Sequence, residues 1–118
     1  MRALCLLLLL VGCETVRPCR TQTLLVTVRL ADGAVLADQL VVGVAIDGGT
    51  ARYTTINHVI GQTEGTVEID FSSGYPAGRA VVLTVDAIMG GQRVGTGSTM
   101  LVPAADCDTP TVDVAASG

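Results

Sequence analysis

From Thr21 onward the chain repeats an apolar side chain at every second position, and the runs are cut by turn residues about every ten positions. A period of two puts alternate side chains on opposite faces of a strand, so a chain patterned this way buries one face of a sheet and wets the other. "TLLVTVRL" places Leu24, Val26, Val28 and Leu30 together. "DQLVVGVAID" does the same with Leu40, Val42, Val44 and Ile46. "TVEIDF" turns Val67, Ile69 and Phe71 inward and Glu68 and Asp70 outward. "RAVVLTVDAI" aligns Val81, Leu83, Val85 and Ala87, "RVGTGSTMLV" returns as its hairpin partner, and "TVDVA" brings in Val112 and Val114. "TARYTTINHV" is a strand with no decided face. Asp47-Gly48-Gly49 and "MGGQ" are hairpin signals. No segment has a 3.6-residue period. The expectation is an all-β fold, an antiparallel β-sandwich of about seven strands.

Composition supports strands and limits partners. Of 118 residues, 49% are hydrophobic and 15% charged, which excludes a disordered acidic or basic tail. The formal net charge is −4, and all seven basic residues are arginines. A scattered-arginine acidic chain has no footprint for a nucleic-acid backbone and no attraction to anionic lipid headgroups, so neither partner is expected through charge. Any membrane attachment must come from another device.

That device lies at the amino terminus. One arginine precedes an apolar run of nine residues, Ala3 to Val11, and Gly12-Cys13 follows. A spanning helix needs about 20 apolar residues. Glu14, Arg17 and Arg20 prevent extension, so the layout is that of a secretory signal. Four cysteines, Cys5, Cys13, Cys19 and Cys107, allow three pairings on count alone.

Leu10-Val11-Gly12-Cys13 resembles the lipobox of bacterial lipoproteins. The resemblance implies that Cys13 is acylated and becomes the first mature residue. It divides the chain into a signal peptide over 1–12, a lipid-anchored tether over 13–21 and a β-sandwich domain over 22–118. Two or more acyl chains hold a protein stably on a membrane. Glu14, where inner-membrane retention often uses aspartate, leans the implied location toward the outer membrane of a Gram-negative envelope. The same resemblance removes Cys5 and caps Cys13, which leaves Cys19 and Cys107 as the implied disulfide in an oxidising compartment. Five residues separate Cys13 from Cys19, a reach of roughly 20 Å, so the domain is expected close to its membrane.

A second resemblance covers "GYPAGRAVVLTVDAIMGGQRVGTGS", residues 74–98. It is similar to the late strands of Ig-like and fibronectin-type modules, where a Pro/Gly loop leads a long strand into a glycine hairpin. It implies an Ig-like sandwich without the core tryptophan of immunoglobulin domains. Fold alone assigns no function.

No catalytic set is expected. His58 is the one histidine, and Ser72, Ser73 and Ser98 lack a nucleophile-elbow context. Glu68 and Asp70 share a face, as the wet side of a strand does. "GGQRVGTG" has no lysine and opens no helix, so it is no phosphate loop. Asp106 and Asp108, with Asp47 or Asp32, could offer oxygen ligands to calcium, but without a defined ligand spacing. Tyr53, Tyr75 and Phe71 are the only aromatics a glycan could stack on, Phe71 being expected in the core and Tyr75 anchoring its proline loop. The resulting expectation is a lipid-anchored, non-enzymatic envelope protein, structural, adhesive or partner-binding, without cofactor or metal. A calcium- or glycan-binding module is the alternative.

Overall fold

A computed structural model describes residues 20–71, 74–104 and 107–116. Eight strands follow in order: β1 (Thr23–Leu30), β2 (Gln39–Ile46), β3 (Arg52–Asn57), β4 (Glu64–Asp70), β5 (Val81–Met89), β6 (Gln92–Leu101), β7 (Cys107–Asp108) and β8 (Thr111–Ala116). A single 3-10 turn, Ala34–Leu36, lies between β1 and β2. The fold is all-β, and no α-helix occurs among the described residues.

The strands form one curled sheet in the order β3-β2-β5-β6-β8-β1-β4, with β7 also beside β1. The sheet is mixed rather than antiparallel throughout. β1 pairs antiparallel with β4 but parallel with β7 and β8. Alternation fixes which face a side chain takes; it carries no information on a strand's neighbour or direction, so the parallel pairs were not readable from it.

The buried faces are the alternating sets. Leu24, Val26 and Val28 of β1, Val81, Leu83, Val85 and Ala87 of β5, and Val112 and Val114 of β8 are at most 1% exposed. They form one hydrophobic cluster with Leu30, Leu40, Val42, Ala34 and Ala37. Curling brings the β1–β8 flank over the β2–β5 flank, so one face of the sheet wraps its own core. Strand twist supplies part of the curl. A register shift between Ala87 and Ile88 on the β5–β6 pair supplies another bend. Among the described residues the flanks are joined through β6 and β8 by the register pairs Gly95↔Ala116 and Thr96↔Ala115.

The hairpin signals fold as expected. Asp47 (φ 52°) and Gly48 (φ 73°) both take positive φ between β2 and β3, and the Gly49 amide donates to the Ile46 carbonyl at 2.9 Å. Gly90 (φ 57°) and Gly91 (φ 85°) link the paired Met89 and Gln92 of β5 and β6, the two-residue turn whose twist matches that of paired strands.

The strands define two ends. The chain arrives at Arg20 beside the start of β1, with the end of β4 and β7 next to it. The opposite end carries the 3-10 turn and the β3–β4 loop, tied by the Gly61 amide to the Val35 carbonyl at 2.8 Å and by the His58 amide to Asp38 at 2.9 Å.

Candidate functional site

The sheet does not close. Among the described residues β3 pairs only with β2, and β4 only with β1, so both end strands keep one edge free of them. Between these edges runs a cleft of two hollows that share Val67. The hollow at the far end from Arg20 has a volume of about 560 Å³ and is bordered by Leu40, Ile56, His58 and Glu64. The nearer one, about 480 Å³, is bordered by Val44, Ile46, Arg52, Thr54, Ile69 and Phe71.

Register explains these walls. Val44 lies opposite Arg52, Val42 opposite Thr54 and Leu40 opposite Ile56, so Arg52, Thr54 and Ile56 take the inner face of β3. On β4, Val26↔Val67 and Leu24↔Ile69 put Val67 and Ile69 on the inner face as well. Val44, Ile46, Ile56, Val67, Ile69 and Phe71 pack against the core yet stay only half-buried. Volume and lining fall in the range of ligand-binding clefts, apolar walls with a few polar groups.

The charges around the cleft are mostly paired. Arg20 Nε lies 2.9 Å from Glu68 Oε2, and its Nη2 lies 4.0 Å from Asp70. Glu68 and Asp70 thus sit on the outer face of β4 with an arginine across them, rather than as a free carboxylate pair. Arg29 faces Glu64 at 3.6 Å, and Arg93 faces Asp86 at 4.0 Å. Arg79 Nε donates to Asp47 at 2.7 Å, and the Ala80 amide donates to the same carboxylate at 3.1 Å. Among the described residues, Arg52 is the arginine without an acidic partner.

The Arg79 and Ala80 hydrogen bonds hold the Asp47 carboxyl below its ordinary value of 3.8. A depressed carboxylate stabilises the fold above its unfolded pKa and loses that contribution as pH falls through the lower, folded value. Side-chain NMR titration of Asp47 is therefore expected to give a midpoint below 3.8, and Arg79→Met to move it back toward 3.8. An unchanged midpoint in the variant would remove Arg79 as the cause.

The other sequence candidates do not converge. His58 Nδ1 lies 2.6 Å from the Ala37 carbonyl and Nε2 lies 2.9 Å from the Gln62 carbonyl, so the ring pins the β3–β4 loop. Ser98 is on β6, three strand positions from β3, roughly 14 Å at ordinary strand spacing. The structure brings no serine to His58 among the described residues, and Ser72 and Ser73 lie outside them. Asp108 accepts a hydrogen bond from the Tyr75 hydroxyl. Asp47 and Asp32 lie at opposite ends of the sheet, and Asp106 lies outside the described residues. Among those residues no group of three His, Cys, Asp or Glu side chains is placed to hold a metal ion.

The aromatics also separate. Phe71 and Tyr75 meet edge to face at 5.7 Å near the end where the chain arrives. Tyr53 lies on the outer face of β3, where a Cβ on Gly43 would come within 2.8 Å of its ring. Tyr53 thereby covers the glycine of the neighbouring strand, although it remains 67% exposed.

Cys5, Cys13 and Cys19 lie outside the described residues. Cys107 is on β7 opposite Thr23. The Thr23 hydroxyl donates to the Arg20 carbonyl at 2.6 Å and lies 3.5 Å from Cys107 Sγ. No helix among the described residues is long and apolar enough to cross a membrane.

No protein-family model, curated protein or solved structure matches this chain. The cleft was not foreseen in the alternation. Its one sequence signal was the undecided strand "TARYTTINHV": a segment polar on both faces between two turns is what an end strand looks like.

Proposed function

We propose that this is a lipid-anchored, non-enzymatic envelope protein that presents an Ig-like β-sandwich to a protein partner. The observation that carries the reading is the lipobox-like Leu10-Val11-Gly12-Cys13 behind a nine-residue apolar run. Acylation of Cys13 anchors an acidic domain that has no basic patch to hold it on lipid. Glu14 favours the outer membrane as the destination.

The geometry around Arg20 agrees with a short tether. The chain arrives at one end of the sheet, beside the nearer hollow, and the loops at the opposite end lie away from it. A Cys19–Cys107 disulfide belongs to the same proposal. Its support is the turn at Arg20–Thr23, which folds the residue next to Cys19 onto the threonine that touches Cys107 Sγ. The Ig-like description is supported by the two flanks packed around one core and by the glycine hairpin between β5 and β6.

Cys13→Ala tests the anchor. The variant is expected to keep its leader and to lose incorporation of labelled fatty acid, while the parent chain partitions with membranes in acylated form. A variant that is processed, acylated and membrane-bound like the parent would overturn the reading.

A further inference from the structure

We propose that the cleft between β3 and β4 takes an extended peptide strand from a partner protein, with aliphatic side chains at alternate positions and an acidic group that meets Arg52. This rests on the partner-binding reading and assigns it a site.

Two rows of backbone groups face the cleft. β3 gives one edge to β2 and β4 gives one to β1, and their other edges border the same opening. An exposed edge is a template for strand addition, and main-chain hydrogen bonds then supply affinity while alternate side chains supply specificity. The six residues of β3 span roughly 20 Å, enough to seat a strand of similar length.

The walls say which side chains fit. Val44, Ile46, Val67, Ile69 and Phe71 are half-buried beside a core whose own members are almost wholly enclosed. Every second side chain of an added strand would point between the flanks and cover them. The intervening side chains would face water and can be polar.

Charge selects the occupant. Arg52 stands on the inner face at the first position of β3 and lines the nearer hollow, and among the described residues it has no acidic partner, whereas Glu68, Asp70 and Arg79, which also border that hollow, are paired with Arg20 and Asp47. The other described arginines already face carboxylates. A guanidinium beside an apolar cleft favours a carboxylate that it can hold through charge-assisted hydrogen bonds. The ligand is therefore an extended acidic-aliphatic peptide segment rather than a basic one.

The test uses the full chain, ¹⁵N-labelled, with the blocked peptide acetyl-Val-Thr-Val-Thr-Val-Thr-Asp-amide, in which the acid shares a face with the valines. One control peptide ends in lysine, and another carries proline at its centre. Amide shifts and hydrogen-exchange protection are expected on β3 and β4, and the acid-ended peptide is expected to bind about tenfold tighter than the lysine-ended one. Proline should abolish binding by removing a main-chain donor. Arg52→Glu alters an exposed, unpaired side chain and should reverse the preference between the two ends.

Four outcomes would overturn the proposal: no saturable shifts at about millimolar peptide, perturbation confined to the Val59–Ile60 loop or the Tyr53 face, an end preference unchanged in Arg52→Glu, or β3 and β4 amides already protected in the free chain by a second copy or by residues 1–19. Peptide binding does not depend on acylation. A Cys13→Ala chain that stayed on membranes would therefore remove the anchor reading and leave the cleft intact, and the converse also holds.

Discussion

Serine at Cys107 is expected to lower unfolding stability by about 3 kcal/mol, which for a domain of this size is a fall of roughly 15 °C in Tm. The proposed Cys19–Cys107 bond would close a loop of about 90 residues, and the chain-entropy model gives roughly 4–5 kcal/mol as its ceiling. The bond would join the segment leading into β1 to β7, where Thr23 already pairs with Cys107. Cys19→Ser should cost the same as Cys107→Ser, and the double variant no more than either, because all three remove one bond. Reductant should bring the parent chain down to the level of the variants. Intact mass of the parent should also rise by a hydrogen pair on reduction. If parent and variants melt together with and without reductant, the bond is absent.

Gly97→Ala is expected to be nearly as damaging, by about 3 kcal/mol, for a reason that is entirely spatial. A Cβ on Gly97 would sit 2.1 Å from the Asp113 carbonyl oxygen and 2.8 Å from its carbon. Both are backbone atoms of β8 and cannot swing aside as a flexible side chain would. Gly95 is nearly as tight, with the Ala34 Cβ at 2.8 Å and the Ala115 oxygen at 2.9 Å. These glycines let β6 and β8 approach where two register pairs join the flanks. Pushing them apart opens the core as well as the sheet. Gly65→Ala is the control: it lies on β4 with no atom within 4 Å of an added Cβ, and its change should stay within about 0.5 kcal/mol. Urea melts of both variants decide the matter. Equal midpoints for Gly97→Ala and Gly65→Ala would mean that the junction tolerates the methyl group.

Those two glycines illustrate how the sequence can be read and where the reading stops. "GGQRVGTGS" was legible as a hairpin turn followed by a return strand, but what its glycines pack against was not. β8 lies beside Gly97 only because the sheet curls. β3 shows the same limit from another side. Its alternation was ambiguous because it is an end strand with Thr54 and Arg52 on the inner face and Tyr53 and Thr55 on the outer, so neither face demands apolar residues. β7 leaves no mark in the sequence, since two residues have no period and become a strand only by lying next to β1.

The candidate site was legible only in pieces. Val67, Ile69 and Phe71 were read as inward-facing, and Arg52 was not singled out. Nothing local shows that the inner face of β4 is incompletely covered or that β3 borders the same opening. The carboxylates noticed along the chain, Glu68, Asp70 and Asp47, turned out to be held by arginines distant in sequence. His58 turned out to set its two ring nitrogens against the Ala37 and Gln62 carbonyls, in the loops around it.

By itself the sequence determined the all-β class, the inward faces of β1, β2, β4, β5 and β8, and the positions of the glycine hairpins. These follow from side-chain alternation and from backbone conformations that few residues adopt, which are properties of neighbours along the chain. Only the tertiary structure decided that β1 runs parallel to β8, that Gly97 meets the backbone of Asp113, and that β3 and β4 are the end strands of the described sheet and border one half-covered apolar cleft. Those facts depend on which distant segments meet, and pairing through backbone groups common to every residue leaves no signature in either segment alone.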